Sequence, residues 1–341
     1  MRQPVNSTDI ANAAKVSTMT VSRFFNSPDK LSAETYARIA EAVERFGYVQ
    51  NHTAKAFFRG ESRTVGLVVP NITNPFVTTV VRGAEDAAQA AGYMIFIGNS
   101  DGDSEKEHTY VSNLLGRRVD GMLVIPAESG SRALQTLALH ETPTVLIDRP
   151  LGTLPFDAVR ADSYDGARLL AAHLLERVVP PLVKASSRKP RIAFIGGVSG
   201  AHPTEERIRG LEDVLGPSDI RLDIACESYS EAAGIEQVHR LRAQGPLADI
   251  LIAANNVVAL GILKALAALG EQRLLASFDS LSEDLCGLFE PFIAVVHQDA
   301  YAIGHTACRQ LLKRIDNPDT PHTEHVLPMQ LGVATRGSAS A

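Results

Sequence analysis

Apolar positions along this chain of 341 residues follow two rhythms. Up to residue 47 they recur at intervals of three and four, the period of short amphipathic helices. Three such helices are predicted. Thr8 can cap "DIANAA", Ser17 can cap the following run "TMTVSRFF", and Ser32 can cap "AETYARIAEAVERFG", where Gly47 supplies the stop. In the third helix Tyr36, Ile39, Ala40, Val43 and Phe46 form one stripe, which Ile10, Ala14, Val16, Val21 and Phe24 can face. Such a unit closes a small core of its own.

From about Thr64 the apolar residues come as compact runs: "TVGLVV", "YMIFIGN", "GMLVIP", "TVLIDR", then "RIAFIGG", "DILIAAN", "LLASFD" and "FIAVVHQD". Helical stretches such as "VTTVVRGAEDAAQAAG", "YDGARLLAAHLLERV" and "VALGILKALAALG" separate most of them. Strands alternating with helices predict parallel sheets covered on both faces, and the number of runs suffices for two. Open sheets of this kind bind ligands at the carboxyl ends of their strands, so the polar residues that end each run are the candidates for chemistry. Two stretches read as connections: "QNHTAKAFFRGESR" (50–63), and "VVPPLVKASSRKP" (178–190), whose Pro180, Pro181 and Pro190 are expected to break any helix.

A hydrophobic content of 45% with 21% charged residues fits a folded protein. With no apolar stretch of membrane-spanning length and no apolar leader in "MRQPVNSTDI", a cytoplasmic protein without a membrane partner is expected. Cys226, Cys286 and Cys308 are too few and too scattered for a disulfide framework or a zinc site; reduced, mostly buried thiols are expected. The ten histidines lack metal-ligand spacing, so no metal and no cofactor is expected. Charge is split: residues 1–60 hold eight Lys/Arg against five acids, a net of +3, so with −6 overall the remainder carries −9. A basic head on an acidic body suits a head that meets polyanions.

"DIANAAKVSTMTVSRFF" reads as helix, tight turn, helix, leaving Thr18, Met19, Ser22 and Arg23 on the outer side. A second helix of that size fits a DNA major groove, where Arg23 can reach a guanine edge and Met19 a thymine methyl. A plain helical hairpin with a hydroxyl-rich surface satisfies the same pattern. "GGVSGAH" (196–202) lacks the P-loop lysine, the dinucleotide spacing and a nucleophile elbow, so it reads as a tight turn and no enzyme activity is expected.

"NSTDIANAAKVSTMTVSRFFN", followed by "LSAETYARIAEAVERFGYVQN", resembles the amino-terminal signature of the lactose-repressor family of bacterial transcription regulators. The likeness continues through "TVGLVVPNITNPF", "SEKEHTYVSNLLGRRVDGMLVIPA", "PTVLIDRPL", "RIAFIGG", "ERIRG", "AANNVVALG", "SFD", "VVHQD" and "LPMQLGVATRGS", nearly the whole chain. The resemblance implies a small all-α helix-turn-helix head and an α/β core of two doubly wound parallel-sheet lobes, similar to periplasmic sugar-binding proteins. It divides the chain into a head (1–49), a hinge (50–62) and a core (63–341), with one lobe at about 63–161 plus 298–325 and the other at 162–297 plus 326–341.

By the same resemblance Thr18, Met19 and Arg23 read bases, while Thr8, Ser17, Thr20, Ser22, Asn26, Ser32 and Thr35 contact the backbone of double-stranded operator DNA. Asn51, Ala54, Lys55 and Phe57 belong to a hinge helix that forms on DNA, Phe57 being the wedge between base pairs; the alternative is that Phe57 and Phe58 pack between head and core. Lys15 stands at the turn position that the family usually gives to glycine. In the core the family pattern nominates Asn74, Phe76, Arg149, Arg207, Asn255, Asp279 and Gln298 for a small effector, a sugar, sugar acid or sugar phosphate. Arg149 could instead pair with an acid, and Asp279 could cap the following "SLSEDL". The expected function is a homodimeric repressor of a palindromic operator under effector control; the alternative is a transport-type sugar-binding protein without a DNA role.

Overall fold

The computed structural model describes residues 5–49, 61–127, 131–150, 154–279 and 292–333. The chain forms two compact units, Met1–Ser62 and Arg63–Ala341.

The first unit holds helices α1 (Ser7–Ala14), α2 (Thr18–Asn26) and α3 (Ala33–Phe46). Its core is Ile10, Ala11, Ala14, Val21, Ile39 and Ala42, with Val16, Phe24, Phe25, Leu31, Val43 and Tyr48 packed around it. The stripe on α3 is therefore narrower than the sequence suggests. Tyr36 and Phe46 stay 44% and 40% exposed, and Ala42 takes the buried place expected of Ala40. Ser17 and Ser32 cap α2 and α3 as expected, and Gly47 ends α3 at φ 57°. The cap of α1 is Asn6 rather than Thr8: the Asn6 side chain accepts from the Thr8 and Asp9 amides, and Asp9 accepts in turn from the Asn6 amide. Lys15 ends α1 in the left-handed region at φ 53°.

The second unit contains two six-stranded sheets. In the first, β1 (Thr64–Val69), β2 (Met94–Asn99), β3 (Gly121–Val124), β4 (Thr144–Ile147), β5 (Asp157–Ala161) and β11 (Glu324–Leu327) run in the order β11-β5-β4-β3-β1-β2, all parallel. In the second, β6 (Ile192–Ile195), β7 (Leu222–Ala225), β8 (Ile250–Ala253), β9 (Leu274–Phe278), β10 (Phe292–His297) and β12 (Gln330–Val333) run in the order β12-β10-β9-β8-β6-β7, with β12 alone antiparallel. The central strands are buried on both faces, which is why they read as continuous apolar runs.

Helices α4 (Pro75–Ala90), α5 (Ser104–Gly116), α6 (Arg132–Leu139) and α12 (Ala300–Asp316) pack on the first sheet. Helices α7 (Ser163–His173), α9 (His202–Leu215), α10 (Glu231–Gln244) and α11 (Asn256–Leu269) belong to the second. α4 and α12 touch backbone to backbone: a Cβ on Gly83 would lie 2.1 Å from the Tyr301 carbonyl oxygen, and one on Gly304 1.9 Å from that of Val80. Only glycine fits at either place.

The chain crosses between sheets after β5, after β10 and after β11. The last crossing falls beyond Leu327, two residues later than the 325/326 boundary read from sequence, because β11 pairs with β5 through Leu327. A second departure concerns the prolines. Pro180 and Pro181 do not abolish the helix; a π turn over Leu174–Val178 leads into α8 (Val179–Ser186), and both prolines sit in its first turn, where a missing N–H costs little. Among the described residues no helix is long and apolar enough to cross a membrane.

Candidate functional site

Two surfaces carry the candidate chemistry, one on each unit. On the first, α2 buries Val21 and leaves Thr18, Met19, Ser22 and Arg23 exposed, Met19 at 64%. Arg23 is drawn along the helix, its Nη2 lying 3.7 Å from the Met19 sulfur four residues earlier, so the two base-reading candidates form one patch. The hydroxyls lie around it at helix starts. Ser17 Oγ accepts from the Thr20 amide and is 2.9 Å from Thr20 Oγ1, and Ser32 and Thr35 repeat the arrangement on α3. Asn26 donates to the Ser22 carbonyl at 2.7 Å, fastening the end of α2. Helix starts with exposed hydroxyls and amides favour phosphate oxygens. Asn51, Ala54, Lys55 and Phe57 lie outside the described residues.

The second surface is built where both sheets present the carboxyl ends of their strands. Arg207, on α9, is 3% exposed; its Nη1 donates to the Ala254 carbonyl at 2.5 Å and its guanidinium lies 4.5 Å from the Phe278 ring centre. Asp279, next after β9 and at φ 61°, accepts from Gln298 Nε2 at 2.7 Å and from the Gln298 amide at 3.4 Å. Burial pushes the Asp279 carboxyl above its usual range, against the pull of the Arg207 charge and of the Gln298 hydrogen bonds. Asn255 is nine-tenths buried and spends its carbonyl oxygen capping α11, accepting from the Val258 amide at 2.8 Å.

From the other sheet come Asp148 and Arg149 after β4. Arg149 is not paired with an acid among the described residues; its Nη1 donates to the Pro126 and Ala127 carbonyls at 2.7 and 2.9 Å, and its guanidinium lies 5.9 Å from the Tyr229 ring centre. Tyr229, after β7, hydrogen-bonds the buried Thr204 hydroxyl at 2.6 Å, and burial raises its phenol pKa. Asp148 bears on both Tyr229 and Asp279, raising each. His202, at the start of α9, is held below its ordinary value by burial first and by the Arg160 charge next.

The structure thus brings Arg149, Arg207, Asp279 and Gln298 to one cleft, with Asn255 next to the Ala254 carbonyl that Arg207 binds. Asn74 and Phe76 stand at the start of α4, after the loop that follows β1: the Asn74 carboxamide accepts from the Phe76 amide at 3.0 Å as the cap of α4, and Phe76 packs on the main core. Tyr229, Asp148, Thr204 and His202 were not found from sequence. Three polar atoms in the cleft, Arg149 Nε, Arg207 Nε and Gln298 Oε1, are buried without a hydrogen-bond partner among the described residues. A buried donor or acceptor left unpaired costs about 1–3 kcal/mol, so these positions favour a polar ligand. Among the described residues no group of three or more His, Cys, Asp or Glu stands ready to hold a metal ion.

Residues 8–51 match the model of bacterial regulatory proteins of the lacI family, and residues 65–319 match a periplasmic binding protein domain. The chain belongs to the lacI family. A HTH-type transcriptional repressor PurR of Aliivibrio fischeri is 30% identical over 97% of both chains. The ribose operon repressor of Bacillus subtilis is 28% identical over 94% of this chain and 95% of its own. Among solved structures, a lac repressor dimer bound to operator and an anti-inducer superposes with a TM-score of 0.81 at 22% identity, over 96% of this chain and 98% of that one. As a lacI-family protein, the chain is a DNA-binding transcriptional regulator.

Proposed function

We propose that this regulator acts as a homodimeric repressor, each head reading one half of a near-palindromic operator, with a small polyhydroxylated effector in the core cleft setting its affinity for DNA. The observation that carries the effector half of this reading is the buried Nε of Arg207, which has no hydrogen-bond partner among the described residues, together with the Asp279 carboxyl, which burial pushes above its usual range and which feels the Arg207 charge. An unpaired donor and a desolvated acceptor in one cleft match sugar hydroxyls, which donate and accept at once. Arg149 adds a second guanidinium, which suits a sugar acid or sugar phosphate. Gln298 and Asn255 complete the polar wall, with Asn74 and Phe76 closing it from the first sheet. No catalytic step is required of any of them.

On the head, Thr18, Met19 and Arg23 read base edges, and Thr8, Ser17, Thr20, Ser22, Asn26, Ser32 and Thr35 hold the phosphate backbone. Dimerisation is supported by edge strand β2, where Met94, Phe96 and Ile97 are exposed at 67%, 45% and 49%. Large apolar side chains side by side on a free sheet edge fit a self-complementary contact. The protein would work in the cytoplasm, associated with the nucleoid when bound to DNA. Effector binding shifts the dimer between DNA-competent and DNA-incompetent states by its differential affinity for the two.

The test is selection of bound duplexes from a random pool by the full-length chain, beside an Arg23→Ala, Thr18→Ala double variant. A palindrome of about 14–20 base pairs is expected from the native chain and not from the variant. Enrichment of one and the same sequence by both proteins would contradict the assignment of the base-reading residues.

A further inference from the structure

The second lobe has another polar cavity, at the amino ends of its strands and so opposite the cleft. It has a volume of about 670 Å³. Its walls come from the residue before β6 (Arg191), the residue before β7 and the strand itself (Arg221, Asp223), the last turns of α10 (Arg240, Gln244) and the turn before β8 (Pro246). A volume of that order is in the range of small-molecule sites.

Its charge is unbalanced. Arg191 Nη2 and Arg221 Nε both donate to Asp223, each at 2.7 Å, so one carboxylate serves two guanidinium groups. Arg240 adds a third guanidinium with no acidic partner among the described residues. Three arginines against one aspartate leave a surplus of two positive charges, on a chain whose net charge is −6. The carboxyl end of α10 opposes this with only about half a negative charge. Arg191 adds a second sign: Nη1 donates to the Pro246 carbonyl at 3.0 Å and Nη2 to Asp223, yet its Nε is buried without a partner among the described residues. The surplus extends beyond the cavity, where Arg242 and Arg273 share the single carboxylate of Glu271.

We propose that this cavity is a second ligand site, distinct from the cleft, for a small phosphorylated or polyphosphate anion held by Arg191, Arg221 and Arg240. Guanidinium groups present paired donors that match phosphate oxygens, and several charges converging on a concave surface raise the local anion concentration. The two sites of one lobe are then separated by the length of its strands, so each can fill without displacing the other's ligand.

Calorimetric titration of the full-length chain with pyrophosphate at low ionic strength tests this, with Arg240→Glu as the site variant and Arg207→Ala as the cleft control. Among the described residues Arg240 forms no ion pair, so its reversal removes no pairing of the fold. One site per chain is expected in the native protein, weakened by at least about tenfold in Arg240→Glu and unchanged in Arg207→Ala. An Arg221→Ala variant, which leaves Asp223 paired with Arg191, should weaken it as well. Absence of binding to the native chain overturns the proposal, and so does an affinity that Arg240→Glu leaves unaltered.

Discussion

Lys15 is placed where the backbone must turn left-handed, at φ 53°, between α1 and α2 of the head. A side chain there costs about 1–2 kcal/mol relative to an unstrained residue, while glycine accepts the geometry at the cost of greater freedom in the unfolded chain. Lys15→Gly should raise the stability of the head by about 1 kcal/mol, read from its melting or denaturant transition. In the cleft, Asp279→Asn keeps size and polarity but removes the titrating acid. Since burial holds the Asp279 pKa above 3.8, effector affinity in the native chain should begin to fall at a pH higher than an ordinary aspartate allows. In Asp279→Asn that acid limb should vanish from the binding profile. At this scale legibility depends on local pairing. Ser17, Ser32 and Gly47 were readable because caps act within three residues, and Asn6 was equally readable from the box it forms with Asp9. Tyr229 and Asp148 were not, because their roles arise only when two sheets meet.

Among elements, the strands found from sequence are the buried ones and edge strand β2, whose exposed side chains are apolar as well. β7, β11 and β12 escaped because these edge strands, unlike β2, are short four-residue runs containing polar residues, such as "EHVL", which an edge position tolerates. β5 escaped for a different reason: it opens with a buried charge. Asp157 is fully buried and takes both Arg314 Nε and Nη2 from α12, along with the Thr323 amide, while Arg314 holds the Pro318, Thr320 and Pro321 carbonyls. This clamp ties the turn after α12 to β5 and so sets the register of β11. Removing one partner leaves the other charge buried, and Asp157→Ala should cost about 3–5 kcal/mol in denaturant unfolding. Burial alone would raise the Asp157 pKa, but the Arg314 and Thr323 hydrogen bonds outweigh it, so the folded pKa lies below the unfolded value. Its stabilisation is therefore present above the unfolded pKa and lost as pH falls through the folded one. The variant should show a shallower loss of stability in acid than the native chain. The prolines of α8 teach the converse: Pro180 and Pro181 signalled an interruption correctly, yet an interruption need not be an end.

At the scale of the molecule, the family resemblance makes the division into a basic head and a two-lobed core legible in the chain, and the alternation of apolar runs makes the two sheets legible. What sequence pattern could not show is which residues of distant segments converge, since Arg149 and Tyr229 come from different sheets and are eighty residues apart. Assembly is a matter of this scale too. Ile97→Asp, on the exposed apolar edge of β2, should shift the protein toward monomer in sedimentation and weaken operator binding, because two half-sites are then no longer held by one particle. The most direct test of the central claim, that occupancy of the cleft controls the head, is the affinity of the full-length chain for its selected operator, with and without saturating amounts of a sugar or sugar phosphate that binds the core. A change of about 5- to 150-fold is predicted, absent in Arg207→Ala. Identical operator affinity with the cleft filled and empty would contradict it.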